Sequence, residues 1–206
     1  MFEQAVTPTT LAILKEIGRE PYFRRFYLAG GTALALQVGH RLSVDFDFFT
    51  RETFEYRRVI DRLQKMGAFR ATHEREHTVV GFLNQVMVSF FQYNYPLLKE
   101  PLLFHDVALA DIKDVAAMKI EAIAGRGVKR DFIDLYFLGL AGLSLQDAMA
   151  CFQKKYESSD VNRVHLLKAL TYFADAEKNE MPKMLKKVSW SKVKEYFIRE
   201  TKKLIF

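Results

Sequence analysis

Residues 28 to 49, LAGGTALALQVGHRLSVDFDFF, constrain the fold more than any other part of the chain. The apolar run FYLAG at 26–30 predicts a buried strand, TALALQV at 32–38 predicts a short helix, and VDFDFF at 44–49 predicts a second strand. Strand, helix and strand in such close succession are typical of a fold that mixes both elements. The first half of the chain is therefore expected to be an α+β unit built around this segment.

Two glycines stand where the first predicted strand meets the helix. Gly30 and Gly31 carry no side chain, so the backbone can adopt positive φ and an anion can approach the first N–H groups of the helix. Thr32 would then cap the helix and direct its hydroxyl at that ligand. A Gly-Gly-Thr turn alone is more often a tight cap than a phosphate site. The residues of the neighbouring strand are therefore needed to distinguish the two interpretations.

That strand contains two acids. Asp45 and Asp47 project from one face, while Phe46 and Phe48 point to the core. Adjacent carboxylates repel each other, and the pair is stable mainly when a divalent cation or a positive side chain lies between them. The alternative is an exposed edge strand with solvated acids. A phosphate turn just upstream favours a metal site, because phosphoryl transfer needs both parts.

The loop between the helix and the acidic strand adds polar groups. Arg41 is placed to contact phosphate, and Ser43 shares the face of Asp45 and Asp47 if the strand begins there. His40 is expected to form hydrogen bonds within the loop rather than to bind metal.

A second polar cluster follows in the later half of the chain. Lys119 falls on the otherwise apolar face of a predicted helix, where a lysine needs an anion or a path to water. The next helix begins with Arg130, Asp131 and Asp134, and its two acids share a face. Snorkelling explains the lysine and the helix dipole explains either acid, whereas a bound triphosphate would also be a partner for Lys119.

The segment from Leu28 to Phe49 resembles the first motif of the nucleotidyltransferase AbiEii/AbiGii toxin family, in which Gly-Gly-Thr-Ala-Leu precedes an Arg-x-Ser-x-Asp-x-Asp-Phe strand. Lys119 and the run from Arg130 to Leu135 look like a second pair of motifs in that family. The resemblance implies a nucleotidyltransferase-like mixed sheet flanked by helices, followed by a helical C-terminal domain. It also implies transfer of a nucleoside monophosphate from a nucleoside triphosphate to an acceptor such as tRNA, with Mg²⁺ or Mn²⁺ as cofactor and a cognate antitoxin as partner.

By position, the resemblance assigns a role to each motif residue. The metal ligands would be Asp45 and Asp47. Asp131 would assist the reaction or position the site, in one version as a base for the acceptor hydroxyl. The catalytic set is then Asp45, Asp47, Lys119 and Asp131, and the nucleotide-binding set is Gly30, Gly31, Thr32, Arg41, Ser43, Lys119 and Arg130.

One position departs from many nucleotidyltransferases. The predicted strand VMVSFFQY offers Ser89 where a third metal-binding carboxylate is expected. A hydroxyl cannot replace a carboxylate as base or charge. Either another acid such as Asp131 supplies the function, or the protein is a nucleotide- or RNA-binding module on the same fold without efficient turnover. A third interpretation is a partner-binding domain with a purely structural role.

The remaining sequence pattern predicts further elements. A first helix is expected over 8–19 and an amphipathic helix over 53–67. HTVVGFL and VMVSFFQY predict a hairpin that turns at Asn84 and Gln85, and residues 104–109 predict another strand.

Beyond the strands, the chain follows the helical period almost throughout. One helix is expected across 160–177, and the predicted N-caps are Ser144, Asp160 and Ser189. We therefore divide the chain into an α/β domain at 1–110 and a helical domain at 111–206 that completes the active site.

Positive charge is concentrated at the end of the chain. Residues 178–206 carry nine Lys or Arg and three Glu, which accounts for the whole net charge of +6. Such a segment attracts a phosphate backbone or keeps a surface solvated, and a phosphate-using site elsewhere favours the first. Cys151 is the single cysteine, no apolar run approaches the roughly 20 residues of a membrane span, and the opening residues lack a signal-peptide core. We expect a cytoplasmic protein without membrane contact.

Overall fold

The centre of the fold is a mixed β-sheet flanked by helices. The computed structural model describes residues 1–159 and 161–204, and within them the sheet has seven strands in the order β3-β4-β5-β2-β1-β7-β6. The strands are β1 Tyr27–Ala29, β2 Phe46–Thr50, β3 Phe69–Arg75, β4 Thr78–Leu83, β5 Val86–Gln92, β6 Leu102–Phe104 and β7 Val107–Leu109. The helices are α1 Pro8–Arg19, α2 Gly30–Val38, α3 Tyr56–Met66, α4 Ile112–Arg126, α5 Lys129–Leu140, α6 Leu145–Lys155, α7 Arg163–Ala169, α8 Ala174–Glu177 and α9 Trp190–Lys203. The predicted α+β class, with a helical second half, is confirmed.

The acidic strand β2 lies in the middle of the sheet because its alternation gives one face to the core. Phe46 and Phe48 are fully buried, and Asp47 between them projects from the opposite face. β2 pairs antiparallel with β1 and parallel with β5, so Asp47 lies directly opposite Ser89. The expected place of Ser89 on a strand beside the acids is therefore confirmed.

Tight turns with positive φ shape both ends of the sheet. The β4–β5 hairpin turns at Asn84 and Gln85 as predicted; their φ values of 47° and 70° supply the geometry of a two-residue turn without glycine. The single strand predicted at 104–109 is wrong, because His105 and Asp106 also take positive φ and reverse the chain. Two short antiparallel strands, β6 and β7, result.

The edge strand β3 is absent from the sequence prediction. It pairs with β4, and its register shifts between Ala71 and His73. Most of its side chains are exposed. Since neither face is well buried, β3 lacks the apolar alternation by which a strand is identified.

Helix ends agree in part with the predicted caps. Ser144 forms a capping box with Asp147 at the start of α6, and Ser189 caps α9. The predicted cap Asp160 lies outside the described residues. The helix expected across 160–177 is divided into α7 and α8, and Asn162 caps α7.

The buried apolar side chains form one cluster that extends across the boundary predicted between residues 110 and 111. α2 of the first half packs against α4 and α5 of the second. Through α2, these two helices are held close to the strands that carry the acids. The division into two domains stays a prediction.

No single helix in the described part of the chain combines the length and apolar content that would cross a membrane. α5 and α6 have the required length and apolar content only when they are taken together, and the chain bends by 113° between them. Both helices pack against α4 and α9.

Candidate active site

The glycine turn brings backbone into close contact with two charged side chains. Gly30 begins α2 with φ +66°, and a Cβ at this position would lie 3.0 Å from Asp47 Oδ2. A Cβ at Gly31 would collide with the guanidinium of Arg41. Only residues without side chains allow the carboxylate and the guanidinium to approach the helix start together.

Thr32 differs from its predicted role as helix cap. α2 begins two residues earlier, at Gly30, and its N-cap is Ala29. The buried Thr32 hydroxyl donates to the backbone carbonyl of Asp45 and lies 2.8 Å from Ser43 Oγ. Thr32 therefore connects α2 to the loop that precedes β2, and this contact places Asp45 beside the glycine turn.

One cavity of about 160 Å³ brings the predicted site together. Its wall contains the carboxylates of Asp45 and Asp47, the glycine turn and cations from the later helices. Asp45 immediately precedes β2, which begins at Phe46 rather than at the predicted residue 44. Every predicted site residue except Asp131 lines it: Gly30, Gly31, Thr32, Arg41, Ser43, Asp45, Asp47, Lys119 and Arg130. Met87 and Arg126, to which the sequence assigns no role, line it as well. Arg126 follows Lys119 by two helical turns on α4, and this spacing is the pattern that could have identified it.

The carboxylates of Asp45 and Asp47 have oxygen donors that suit Mg²⁺ or Mn²⁺. Burial raises the pKa of Asp47; nearby Lys119 lowers it, the charge of Asp45 raises it, and a hydrogen bond from Ser89 lowers it. The net rise means that the protein's own cations do not fully compensate the carboxylate. A divalent cation would supply the missing charge. In the described residues, no group of three or more His, Cys, Asp or Glu is placed to hold a metal ion.

Behind the cavity, Asp134 joins three segments that are distant in the chain. This fully buried carboxylate accepts hydrogen bonds from Arg41 Nε at 2.7 Å and Arg41 Nη2 at 2.9 Å, and Lys119 Nζ lies 2.6 Å away. Burial alone would raise the pKa of Asp134, but Lys119 and Arg41 hold it well below its ordinary value. We call Asp134 with His40, Arg41 and Lys119 the carboxylate hub.

His40 belongs to the hub as a neutral donor. It is fully buried, its Nε2 lies 2.7 Å from Asp134 Oδ1, and burial lowers its pKa despite this carboxylate. Its Nδ1 is buried and has no hydrogen-bond partner among the described residues. A neutral ring with the proton on Nε2 satisfies both observations. The prediction that His40 forms a hydrogen bond is right, but its partner lies on α5 rather than in the loop.

Asp131 does not line the cavity, but it binds two cations that do, Lys119 and Arg126. It is fully buried and accepts from Lys119 Nζ at 2.6 Å and from Arg126 Nε at 3.0 Å. Burial would raise the pKa of Asp131, but Lys119 and Arg126 outweigh it and keep the pKa low. Both oxygens are engaged, which fits a positioning role better than that of a base. Lys119 thus has two protein anions as partners and does not snorkel to water.

The low pKa of Asp131 leads to a pH-dependent stability. Its ionised form is favoured in the folded state, so its contribution is fully present above the unfolded pKa of about 3.9 and is lost as pH falls through the folded pKa. We expect Asp131→Asn to lower the free energy of unfolding by about 2 kcal/mol near pH 7, and by progressively less below about pH 4. Urea unfolding of both proteins across this range measures the difference. A difference that stays constant with pH would contradict the ion pairs.

A family model described as "Nucleotidyl transferase AbiEii toxin, Type IV TA system" matches residues 12–203. The chain belongs to the AbiEii family. An uncharacterised protein of Aquifex aeolicus is 39% identical to this AbiEii family member over 185 residues, which are 87% of this chain and 88% of that protein. The resemblance found in the sequence motifs is therefore confirmed.

Solved structures similar to this AbiEii family member agree with the fold. A putative nucleotidyltransferase from H. pylori superimposes with a TM-score of 0.55 at 15% identity, covering 99% of this chain and 96% of that one. JHP933 from Helicobacter pylori gives the same TM-score and identity over 97% and 93% of the two chains. The predicted nucleotidyltransferase-like sheet is confirmed, and the family makes the protein a nucleotidyltransferase toxin by membership.

Proposed function

We propose that this protein transfers a nucleoside monophosphate from a Mg²⁺-bound nucleoside triphosphate to an RNA acceptor such as tRNA. The supporting observation is a cavity in which the carboxylates of Asp45 and Asp47, a glycine turn and several cations converge. Donors and cations around a polyphosphate, together with carboxylates for a metal ion, are the parts that phosphoryl transfer requires. The excess of basic residues over 178–206 favours a polyanionic acceptor.

The cations of the site line the cavity in which phosphate would bind. Lys119 has three N–H donors, of which one donates to Asp131, and it forms an ion pair with Asp134 while it also lines the cavity. Arg41 donates to Asp134 through Nε and Nη2 and to the Leu42 carbonyl through Nη1, and it lines the cavity beside Gly31. Asp45 and Asp47 would hold Mg²⁺, which when bound neutralises the triphosphate and polarises the transferred phosphoryl group.

Ser89 lies opposite Asp47 and offers a hydroxyl where a third carboxylate is expected. The transition state of phosphoryl transfer is loose, and catalysis depends mainly on positioning and charge. Turnover is thus compatible with two carboxylates. The alternative, a nucleotide- or RNA-binding module without efficient turnover, rests on Ser89 opposite Asp47.

An assay with labelled nucleotide separates these functions. Purified protein is incubated with each labelled NTP, Mg²⁺ and total RNA, and label in the RNA is measured. We expect incorporation by the wild type and by Asp61→Asn, an exposed acid on α3, and none by Asp45→Asn. Mg²⁺-dependent NTP binding without incorporation would support the binding module instead. Absence of both binding and incorporation would exclude both functions.

Two further proposals follow from family membership. A cognate antitoxin is expected to neutralise the protein, as in other toxin–antitoxin pairs, and an RNA acceptor is compatible with action in the cytoplasm. Co-expression of candidate neighbouring genes with the toxin, scored by rescue of growth, tests the first.

A further inference from the structure

Strand β4 gives one face to the core and leaves the other outside it. Val79 and Leu83 are fully buried, whereas Val80 and Phe82, which alternate with them, are only partly buried. In the described part of the chain, neither Val80 nor Phe82 belongs to the core cluster or packs against it. The sheet therefore has an apolar surface outside the core at β4.

This surface continues across β5 to the catalytic cavity. Phe82 lies opposite Met87, and Ser89, two residues further along β5, lies opposite Asp47. Residues that are paired across strands, or two apart within one strand, share a face of the sheet. Met87 also lines the catalytic cavity. From β2 to the edge strand β3, the surface spans three strand spacings, or about 14 Å.

The outer edge of the surface carries positive charge. Arg70 and Arg75 of β3 are exposed and lie opposite Phe82 and Thr78, so both project on the same side as the apolar residues. The guanidinium of Arg70 lies over the Phe82 ring, 5.5 Å from its centroid. Glu74, the only acid of β3, lies opposite a buried residue of β4 and projects on the other side. We call the surface formed by Arg70, Arg75, Val80, Phe82 and Met87 the open sheet face.

A groove of about 560 Å³ lies at the outer end of the open sheet face. Arg70 and Phe82 line it together with Ala68, Asn84 and Gln85. The amide of Gln85 is exposed and can both donate and accept hydrogen bonds. The groove thus combines an aromatic ring, a cation and an amide, which are the groups that stack on a base, neutralise a phosphate and contact a base edge.

We propose that the open sheet face binds a single-stranded end of the acceptor RNA and places it beside the catalytic cavity, an inference that rests on the proposed function. Every base has a π-face, so an aromatic ring stacks bases with little regard to sequence while arginines contact the phosphates. Some sheets bind single-stranded RNA in this way through aromatic side chains, whereas an RNA helix keeps its bases paired.

Charge favours RNA over a second copy of this chain as the occupant. In a symmetric dimer the same patch faces itself, so Arg70 and Arg75 would be brought towards their own copies. A phosphate backbone instead compensates both arginines. Continuity with the catalytic cavity through Met87 is the second reason, because the acceptor has to reach that cavity.

RNA binding in the absence of nucleotide tests the stacking surface. A short fluorescein-labelled oligouridylate is titrated with protein, and its fluorescence anisotropy is measured. We expect Phe82→Ala to weaken binding by about fivefold to a hundredfold, which is the effect of losing one stacked base. Tyr172→Ala removes an aromatic side chain that is 58% exposed between α7 and α8, and it should keep the affinity of the wild type.

The salt dependence of the same titration tests the arginines. Each phosphate contact on a single strand contributes about 0.7 to the slope of log affinity against log salt concentration. The double variant Arg70→Ala with Arg75→Ala should therefore lower this slope by about 1.4. The matched control is Arg57→Ala with Arg58→Ala, which removes the same charge from exposed positions of α3 and should leave the slope unchanged.

The transfer assay separates binding of the acceptor from the reaction. Phe82 does not line the catalytic cavity. Phe82→Ala should therefore raise the RNA concentration that gives half-maximal incorporation of label, by about the factor found for the oligouridylate, and should leave the maximal rate nearly unchanged. An equal loss of rate at saturating RNA would contradict a role in acceptor binding.

The outcomes distinguish this inference from the function on which it rests. If the wild type does not bind the oligouridylate, or if Phe82→Ala and the Arg70/Arg75 double variant bind it as the wild type does, the open sheet face is not the RNA site. Incorporation of label into RNA by the wild type would then leave the proposed function standing. Absence of incorporation overturns the proposed function, and the oligouridylate affinities still decide whether this face binds RNA.

Two further measurements complete the test. A wild type that is dimeric by light scattering, with a monomeric Phe82→Ala, would assign the face to a second copy and overturn the inference. Circular dichroism verifies the folding of each variant. If Phe82→Ala fails to fold, the double variant decides, because Arg70 and Arg75 are exposed.

Discussion

Asp47→Asn is expected to lower the rate of nucleotidyl transfer at least about a hundredfold. Substitution of a residue that only hydrogen-bonds to a metal ligand typically lowers activity about tenfold to a hundredfold, and loss of the ligand itself should have a larger effect. The same substitution should leave the protein as stable as the wild type or more stable. The pKa of Asp47 is raised by burial, so its ionisation is less favourable in the folded chain than in the unfolded one. At pH 7 the ionised carboxylate therefore destabilises the fold, and a neutral amide removes that effect.

The two readouts for Asp47→Asn are the rate of label incorporation and the midpoint of urea unfolding. Asp61→Asn is the matched control and should change neither. Loss of activity together with a marked loss of stability would mean that Asp47 supports the structure rather than the reaction. Full activity in the variant would exclude Asp47 as a metal ligand.

Removal of the Asp134 carboxylate should lower the stability of the protein, in contrast to the substitution of Asp47. We expect Asp134→Ala to lower the free energy of unfolding by about 3–5 kcal/mol, because Arg41 would stay buried without its anion and Lys119 would keep only Asp131. This is a large part of the roughly 5–15 kcal/mol that stabilises an ordinary domain. Thermal and urea unfolding measure the loss, and a variant that fails to fold at 25 °C agrees with it.

The control for the hub is an exposed ion pair elsewhere. Asp175→Ala removes the partner of Lys178 on the surface and should cost no more than about 1 kcal/mol. If Asp134→Ala were as mild as Asp175→Ala, the buried ion pairs would contribute little to the fold. That result would contradict the conclusion that Asp134 holds Lys119 and Arg41 in fixed positions.

Local patterns in the sequence predict much of the site. The alternation around Asp47 and the two glycines near the start of α2 are properties of adjacent residues, and the structure brings both acids and the glycines to one cavity, although Asp45 precedes β2. Family motifs add Lys119 and Arg130, which line the same cavity. The chemical roles of these residues stay predictions.

What the sequence could not provide are the partners of charged groups across distant segments. Asp134 is equally well explained by a helix dipole when only its own helix is considered, yet it binds His40 and Arg41 from a loop far earlier in the chain. Thr32 is a plausible cap until the helix is found to begin at Gly30. In each case the tertiary contact, rather than the local pattern, decides the role.

The hub has a consequence for the thermodynamics of ligand recognition. Lys and Arg side chains each have about 2 kcal/mol of rotamer entropy that ordering removes. Because Asp131 and Asp134 immobilise Lys119 and Arg41 when the chain folds, that entropy is already lost before a polyphosphate arrives. Binding of a polyphosphate should then lose less conformational entropy than binding to mobile cations would. Part of the affinity therefore comes from the ordering of these side chains during folding.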